Sequence, residues 1–315
     1  MTTDDNVISV GVRTVIIAAE RQRRYEASEF AKASVALEGF TRSKEDQAHA
    51  DRFINGEIDL KGYLAQATKT FMVGELVGAQ ERAKLEGSHT DRRSLEIQLD
   101  PVRGTYDAAH LKEINRRIFQ DLPGFGFDDV TPGQYRPAVP DGSDWMKNRG
   151  LSTQPGSFFV AYSRMDAAAQ IGLAKTLESA DPAKLRELNT AEFIKSMAKL
   201  YTELDFAHPF SDGNSRTLRV FTQQLARESG YNINWEKFAL NDTGRDLLYI
   251  ARDKSVNKLA KPHMQHEHSM LKIIQTEARM AHSRDLLDLL RDVVRPLCSL
   301  ACERMTQTGC AAGAT

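Results

Sequence analysis

One stretch decides the fold and the chemistry of this chain: His208-Pro209-Phe210-Ser211-Asp212-Gly213-Asn214-Ser215-Arg216, with Arg219 three residues further on. Apolar residues at helical spacing precede it from Asn189, and a second apolar stripe follows it as far as Gly230. The first helix should stop near Ala207, because the residue before a proline is pushed out of the α region. The sequence therefore predicts a helix, a tight loop and a second helix.

The residue types in this loop suit the chemistry of a nucleoside triphosphate. Histidine titrates near neutral pH, so His208 is a candidate general base for a hydroxyl. Asp212 offers an oxygen ligand for Mg2+, which proteins bind through one or two carboxylates together with phosphates. The start of the second helix favours an anion, and Gly213 allows its close approach. Arg216 and Arg219 share one face of that helix and can reach the same polyphosphate.

The stretch resembles the signature of the Fic family, H-P-F-x-D/E-G-N-G/K-R-x-x-R, at eight fixed positions. Ser215 is the one departure, since the family usually carries Gly or Lys there. Serine is small and can cap a helix, so it is closer to the Gly class, whose members are typically AMP transferases. The resemblance implies a mostly α fold and transfer of AMP from ATP to a Ser, Thr or Tyr hydroxyl of a target protein, with Mg2+.

The resemblance also implies a role for each residue of the signature. His208 would be the catalytic base and Asp212 would hold Mg2+ between the α- and β-phosphates. The anion hole would be lined by Gly213, Asn214 and Ser215. Arg216 would bind phosphate, Arg219 would hold the γ-phosphate, and Phe210 would anchor the loop in the core.

An irregular stretch between 123 and 156 contains five of the ten prolines and six of the twenty glycines. Long loops in compact domains are often functional. Gly133-Gln134-Tyr135-Arg136 resembles the family's entry to a flap, a short β-hairpin that binds the target as an added strand. We expect the flap at 136–150, with target or nucleotide contacts from Arg136, Trp145, Lys147 and Arg149. The alternative for Trp145 is that it only packs the loop down.

The second informative segment is Ser34-Val35-Ala36-Leu37-Glu38-Gly39. A helix is predicted over Ala27–Leu37, with Gly39 as its C-terminal stop, so Ser34 and Glu38 share one face. The segment resembles the inhibitory motif S/T-x-x-x-E-G/N of Fic regulation. In that motif the glutamate pairs with the second arginine of the signature, here Arg219, and blocks the γ-phosphate seat. The alternative is an exposed glutamate at a helix end.

Residues 20 to 66 resemble the small helical antitoxins of the VbhA type. Those antitoxins are separate chains in toxin–antitoxin pairs, whereas here the element would be fused ahead of the catalytic region. Within it, Asn55-Gly56 is predicted to end one helix and Asp59 to cap the next.

Composition restricts the class of protein. A net charge of −1 over 315 residues argues against a direct nucleic-acid partner bound by bulk electrostatics. No apolar run reaches the roughly 18 residues of a membrane span, and the N-terminus lacks the basic region of a signal peptide. Three cysteines, all at or beyond Cys298, fit a reducing compartment, with Cys298 and Cys302 expected to be buried. We predict a cytoplasmic protein, or a secreted effector without a cleavable signal peptide.

The predicted architecture is mostly α: a Fic-type helical core with a short β-hairpin flap, preceded by an N-terminal helical inhibitory module. The module is placed at 1–95, the catalytic core at 96–257, and a C-terminal helical extension at 258–315 with a disordered tail after Thr306. The extension would pack on the core or on another subunit of a homo-oligomer.

The predicted function is a protein adenylyltransferase that Glu38 inhibits by pairing with Arg219. Alternatives on the same scaffold are transfer of UMP, phosphocholine or phosphate, and removal of AMP. An alternative of another class is a non-catalytic nucleotide-binding interaction module. The target stays open between type II topoisomerase subunits, which antitoxin-controlled relatives modify, and a host protein.

Overall fold

The computed structural model describes residues 16–65 and 78–299, and this part of the chain contains twelve α-helices and four short strands. The helices are α1 Ala18–Ala36, α2 Lys44–Ile54, α3 Leu60–Ala65, α4 Ala79–Leu99, α5 Ala108–Phe119, α6 Ala167–Leu177, α7 Pro182–Arg186, α8 Thr190–Ala207, α9 Asn214–Glu228, α10 Asp242–Ala260, α11 Glu267–Met280 and α12 Leu286–Val293. The strands are β1 Trp145–Arg149, β2 Phe158–Tyr162, β3 Tyr231–Ile233 and β4 Val294–Pro296. The prediction of a mostly α fold is confirmed. The tail predicted to be disordered after Thr306 lies outside the described residues.

The centre of the fold is the predicted helix, loop and helix, formed by α8 and α9. Asn189 caps α8 in a capping box with Glu192. As predicted from the proline at position 209, α8 ends at Ala207. His208 leaves the helix in the left-handed conformation, with φ 43° and ψ 59°. Gly213, at φ 70°, then precedes the first residue of α9. The loop between two buried helices is therefore fixed at both of its ends.

Two close contacts hold this loop against the core. Phe210 is 2% exposed and packs near the ring of Tyr135, with 5.8 Å between ring centroids, which fits the predicted anchor. A Cβ atom on Gly213 would lie 1.8 Å from the ring of Phe119 in α5. Position 213 therefore needs glycine both for its backbone angle and for the close approach of that ring.

The flap hairpin lies further along the chain than predicted. β1 and β2 pair antiparallel, with Trp145 opposite Tyr162 and Arg149 opposite Phe158, so the hairpin spans 145–162 and not 136–150. Residues 136–144 form no strand. Pro137 and Pro140 lie in that segment, and proline cannot donate to a β ladder.

The N-terminal helices pack directly on α8 and α9. Phe30 and Leu37 belong to the same apolar core as α8 and α9, while a second cluster joins α1 to α2, α3 and α4. α1 begins at Ala18, earlier than the predicted Ala27, because its charged first half is stabilised by pairs of Glu20 with arginines three and four residues on. It ends at Ala36, and Gly39 follows with φ 88°. As predicted, α2 ends before Asn55-Gly56 and Asp59 caps α3.

The C-terminal segment is joined to the core by a small sheet that the sequence did not predict, in which β3 pairs antiparallel with β4. The helices α4 and α10 run continuously through positions 95 and 257, where domain boundaries were expected. Cys298 is exposed, so the prediction that it is buried was wrong; Cys302 lies outside the described residues. Among the described residues, no helix is long and apolar enough to cross a membrane.

Candidate active site

His208 is held in its left-handed conformation by Arg136. The Arg136 Nε donates to the carbonyl of His208 at 2.9 Å, and its backbone N–H donates to the carbonyl of Pro209 at 2.8 Å. The indole of Trp145 covers the guanidinium at 3.5 Å, and burial lowers the pKa of Arg136 to about 9. Arg136 is only 5% exposed, and its contact with a target stays a prediction. Its side chain supports the loop from the protein interior, through the carbonyl of His208.

The imidazole of His208 is buried among aromatic rings. It is 4% exposed, with the Tyr162 ring centroid at 3.8 Å and the Trp145 ring centroid at 5.2 Å. Burial lowers the pKa of His208 to about 3, because the raising effect of Asp205 is outweighed and the charge of Lys147 lowers the pKa further. The imidazole is therefore neutral at physiological pH, which is the state that a general base requires.

Lys147 of β1 reaches this imidazole directly. Its Nζ lies 3.2 Å from Nε2 of His208, on the ring nitrogen that faces away from Asp205. Burial lowers the pKa of Lys147, while Asp212 and Glu38 act in the opposite direction through their charges. The flap thus delivers an ammonium to the base, a contact that sequence spacing alone did not reveal.

Arg219 is occupied by the N-terminal segment. Its Nη2 donates to a carboxylate oxygen of Glu38 at 2.6 Å and to the carbonyl of Ser34 at 2.8 Å, and its Nε lies 3.3 Å from the Ser34 hydroxyl. Tyr249 of α10 donates to the carbonyl of Leu37 at 2.6 Å and lies 3.2 Å from the other Glu38 oxygen. Burial alone would raise the pKa of Glu38, but Arg219 and then Arg216 hold it at about 2.

Arg216 is occupied as well, by a residue that the sequence did not reveal. Its Nη2 forms an ion pair with Glu86 of α4, and its Nη1 donates to the Thr90 hydroxyl at 3.1 Å. Burial raises the pKa of Glu86, with Arg216 opposing it. Glu86 and Thr90 are one helical turn apart, a spacing too common to single them out in a sequence. Both signature arginines therefore hold carboxylates from the region before residue 100.

Asp212 fits the predicted role of a Mg2+ ligand. Its side chain is 44% exposed and 3.8 Å from Arg216, and one of its oxygens accepts the backbone N–H of Gly213 at 2.6 Å. The second oxygen is left for a cation. The described residues contain no cluster of three metal-binding side chains. A single carboxylate is nevertheless the usual protein share of a Mg2+ site that phosphates and water complete.

Two predicted anion-hole residues direct their side chains into the protein. The Asn214 amide bridges the loop, accepting the backbone N–H of Phe210 at 2.9 Å and donating to its carbonyl at 2.7 Å. The Ser215 hydroxyl lies 2.9 Å from Nη2 of Arg252 in α10. Their backbone N–H groups at the start of α9 are therefore the part of these residues that can meet a phosphate.

Arg149 is held by α10. Its guanidinium makes two hydrogen bonds to the buried carboxylate of Asp253, at 2.8 and 3.0 Å, and this pair ties β1 to α10. That Arg149 contacts target or nucleotide stays a prediction. Trp145 packs between Arg136 and His208, in agreement with the packing alternative.

Comparison with known proteins identifies the family. The model of the Fic/DOC family matches residues 105–226. A Salmonella typhimurium protein named "Probable protein adenylyltransferase Fic" is 31% identical over 163 residues, which cover 51% of this chain and 70% of that protein. The chain therefore belongs to the Fic/DOC family.

Two further similarities concern proteins of Bartonella. The chain is 30% identical over 175 residues to the protein adenylyltransferase VbhT of Bartonella schoenbuchensis, covering 54% of this chain and 32% of that protein. The chain thus spans about a third of the length of VbhT. The N-terminal Fic domain of a VirB-translocated Bep effector protein of Bartonella quintana, with bound ADP, aligns over 75% of this chain and 94% of that one, with 22% identity and a TM-score of 0.44.

Proposed function

We propose that this protein is a protein adenylyltransferase, which transfers AMP from ATP to a Ser, Thr or Tyr hydroxyl of a target protein. One observation carries the proposal: a neutral, buried imidazole lies immediately before a helix start that presents two arginines. The names of the relatives support the same activity. A loop that only bound a partner would have no need for an imidazole, a carboxylate and two arginines together.

The reaction would use each group in a defined way. The target hydroxyl oxygen attacks the α-phosphorus, its proton passes to Nε2 of His208, and the bond to the β-phosphate breaks to release pyrophosphate. Mg2+ held by Asp212 would neutralise phosphate charge when bound. The start of α9 and the guanidinium of Arg216 would bind the phosphates. Lys147 has to leave Nε2 before that nitrogen can accept the proton.

We propose that the observed arrangement is an inhibited state. Glu38 fills the position on Arg219 that a γ-phosphate would take, and one guanidinium edge cannot serve both anions. The helices α1 to α3 would then act as an inhibitory module of the VbhA type, fused to the catalytic region. Ser34 and Gly39 would support it, Ser34 by binding Arg219 and Gly39 by ending the helix before the glutamate.

Donor competition tests the activity. The Glu38→Gly protein is incubated with a cell lysate and ATP labelled at the α-phosphate, and labelled proteins are identified by intact mass. A mass increase of one AMP, absent from Glu38→Gly/His208→Ala, is expected. Label from γ-labelled ATP, UTP or CDP-choline would instead assign phosphate, UMP or phosphocholine transfer. ATP binding without any transfer would favour the interaction module. The target, whether a topoisomerase subunit or a host protein, is read from the labelled mass.

A further inference from the structure

A line of buried polar side chains lies behind the catalytic base, on the side away from Lys147. The Ser215 hydroxyl of α9 accepts from Nη2 of Arg252 at 2.9 Å. Arg252 of α10 also donates from Nε and Nη2 to both carboxylate oxygens of Asp205, at 2.9 to 3.0 Å. Asp205 of α8 faces Nδ1 of His208 at 3.7 Å. Three helices therefore meet in one connected set of side chains.

The burial of this set needs an explanation beyond stability. The side chains of Asp205 and Arg252 are both 0% exposed, and Ser215 is 8% exposed. A buried ion pair is often no more stabilising than apolar residues of the same volume, because both charges lose their hydration. Such a pair does fix geometry, since the guanidinium fork holds a carboxylate in one orientation. What it fixes here is the carboxylate beside His208.

The contacts on the two ring nitrogens determine the tautomer of His208. An ammonium has only protons to offer, so Nε2 is the acceptor in its contact with Lys147. The proton of the neutral ring is then on Nδ1, which faces Asp205. The distance of 3.7 Å exceeds a hydrogen bond, and such contacts commonly shorten when substrate binds. This tautomer leaves the lone pair of Nε2 for the proton of an incoming hydroxyl.

We infer that Asp205 is the positioning residue of His208, and that Arg252 and Ser215 hold its carboxylate in place. Ser215 occupies the variable position of the signature. Its hydroxyl thus acts on His208 through Arg252 and Asp205, and not on the nucleotide. When Nε2 takes a proton, the ring becomes a cation, and the Asp205 carboxylate stabilises it through the Nδ1 proton. The kinetic consequence rests on the proposed transferase activity, whereas the tautomer does not.

The tautomer is tested on the full chain by NMR of 15N-labelled histidine, with His208→Gln used to assign the signal. We expect a proton on Nδ1 in the unmodified protein. Lys147→Met removes the ammonium at Nε2, so only Asp205 is left to hold the proton on Nδ1, and the proton should stay there. In Lys147→Met/Asp205→Asn the side-chain amide can donate to Nδ1, and the proton should move to Nε2. A proton on Nε2 in the unmodified protein, or the same signal in Lys147→Met and Lys147→Met/Asp205→Asn, overturns the inference.

The kinetic test uses the Glu38→Gly background and labelled AMP transfer. Asp205→Asn should lower kcat by about 100-fold or more, the usual share of a correctly placed general base, with little change in KM for ATP. Asp205→Asn leaves Arg252 without its charge partner, so Ser215→Ala, which keeps the ion pair, is the second variant. It should lower kcat by about 3- to 10-fold at unchanged KM for ATP, less than the roughly 10- to 100-fold of a whole hydrogen bond to a charged group, because Arg252 keeps its bonds to Asp205.

Ser229→Ala is the matched control, because Ser229 is a buried serine at the end of the same helix whose hydroxyl binds the Leu225 carbonyl. It should leave kcat unchanged. A rise in KM for ATP at constant kcat in Ser215→Ala would place its hydroxyl on the nucleotide and overturn the inference. Absence of transfer from Glu38→Gly itself would refute the proposed function, and the NMR result would then decide the positioning role alone.

Discussion

The carboxylate of Glu38 lies 2.6 Å from the guanidinium of Arg219, although 181 positions separate the two residues in the chain. The Arg219 side chain is fully buried and that of Glu38 is 20% exposed. Because the pair is shielded from water, neither charge can be removed without consequence for the other. This relationship gives the first two predictions.

Glu38→Gln should tighten ATP binding by about 10- to 100-fold. A hydrogen bond between charged groups contributes about 1.5–3 kcal/mol, and the nucleotide no longer has to displace it. Isothermal titration with ATP and Mg2+ measures the change. Glu29→Gln is the control, since Glu29 lies on the same helix but pairs only loosely with Lys32 at 3.6 Å. Equal affinity of the two variants would contradict the inhibitory role of Glu38.

Glu38 should also stabilise the fold over a defined range of pH. Its pKa is about 2 in the folded protein and 4.5 ordinarily, so its charge contributes about 3 kcal/mol above pH 4.5 that is lost as the pH falls towards 2. The unfolding free energies of the native protein and Glu38→Gln, from urea titrations between pH 8 and 3, should differ by a constant amount down to about pH 5. The difference should shrink below that. A difference that already falls between pH 7 and 6 would assign it to another group.

Glu86→Gln should free Arg216 and tighten ATP binding by a further factor of about 3 to 30, below that expected for Glu38. The reason is that the Thr90 hydroxyl still binds Nη1 of Arg216 after the change. The double variant with Glu38→Gln should show coupling, since both carboxylates interact with Arg216. Titration of the four proteins with ATP gives the coupling free energy. Weaker binding by Glu86→Gln would mean that Glu86 supports the nucleotide site.

The pH dependence of transfer should reflect the low pKa of His208. Because that pKa is about 3, kcat/KM of Glu38→Gly should stay flat from pH 8 to about 5, where an ordinary histidine would already have lost activity. Lys147→Met removes a charge that lowers this pKa, so the acid limb should move to higher pH. Lys147→Arg keeps the charge and serves as the control. An acid limb near pH 6.5 in Glu38→Gly would refute the neutral buried base.

Gly213→Ala should destabilise the fold by about 2–4 kcal/mol. The added Cβ would meet the Phe119 ring at 1.8 Å, and its φ of 70° is unfavourable for alanine. Gly142→Ala isolates the backbone effect, because its φ is 76° and nothing lies within 4 Å of the added atom. Urea unfolding of both variants measures the difference. Equal losses in the two would show that Phe119 yields without cost.

The sequence determined the local frame of this protein. Proline after His208, the capping box of Asn189 and Glu192, and glycine at 213 fix a helix, loop and helix through backbone sterics, which act within a few residues. The residue types of the signature predict a base, a metal ligand and two phosphate-binding arginines from side-chain chemistry, which also needs no tertiary structure.

Tertiary structure alone decided which distant residues contact these groups. Glu86 and Arg252 carry no spacing that marks them, yet packing of α4 and α10 places Glu86 on Arg216 and Arg252 on Asp205. Packing likewise places Arg136 on the His208 carbonyl and Arg149 on Asp253, two contacts that the sequence did not predict. Charges interact through space over a few ångströms, so their partners depend on how distant segments pack and not on their order in the chain.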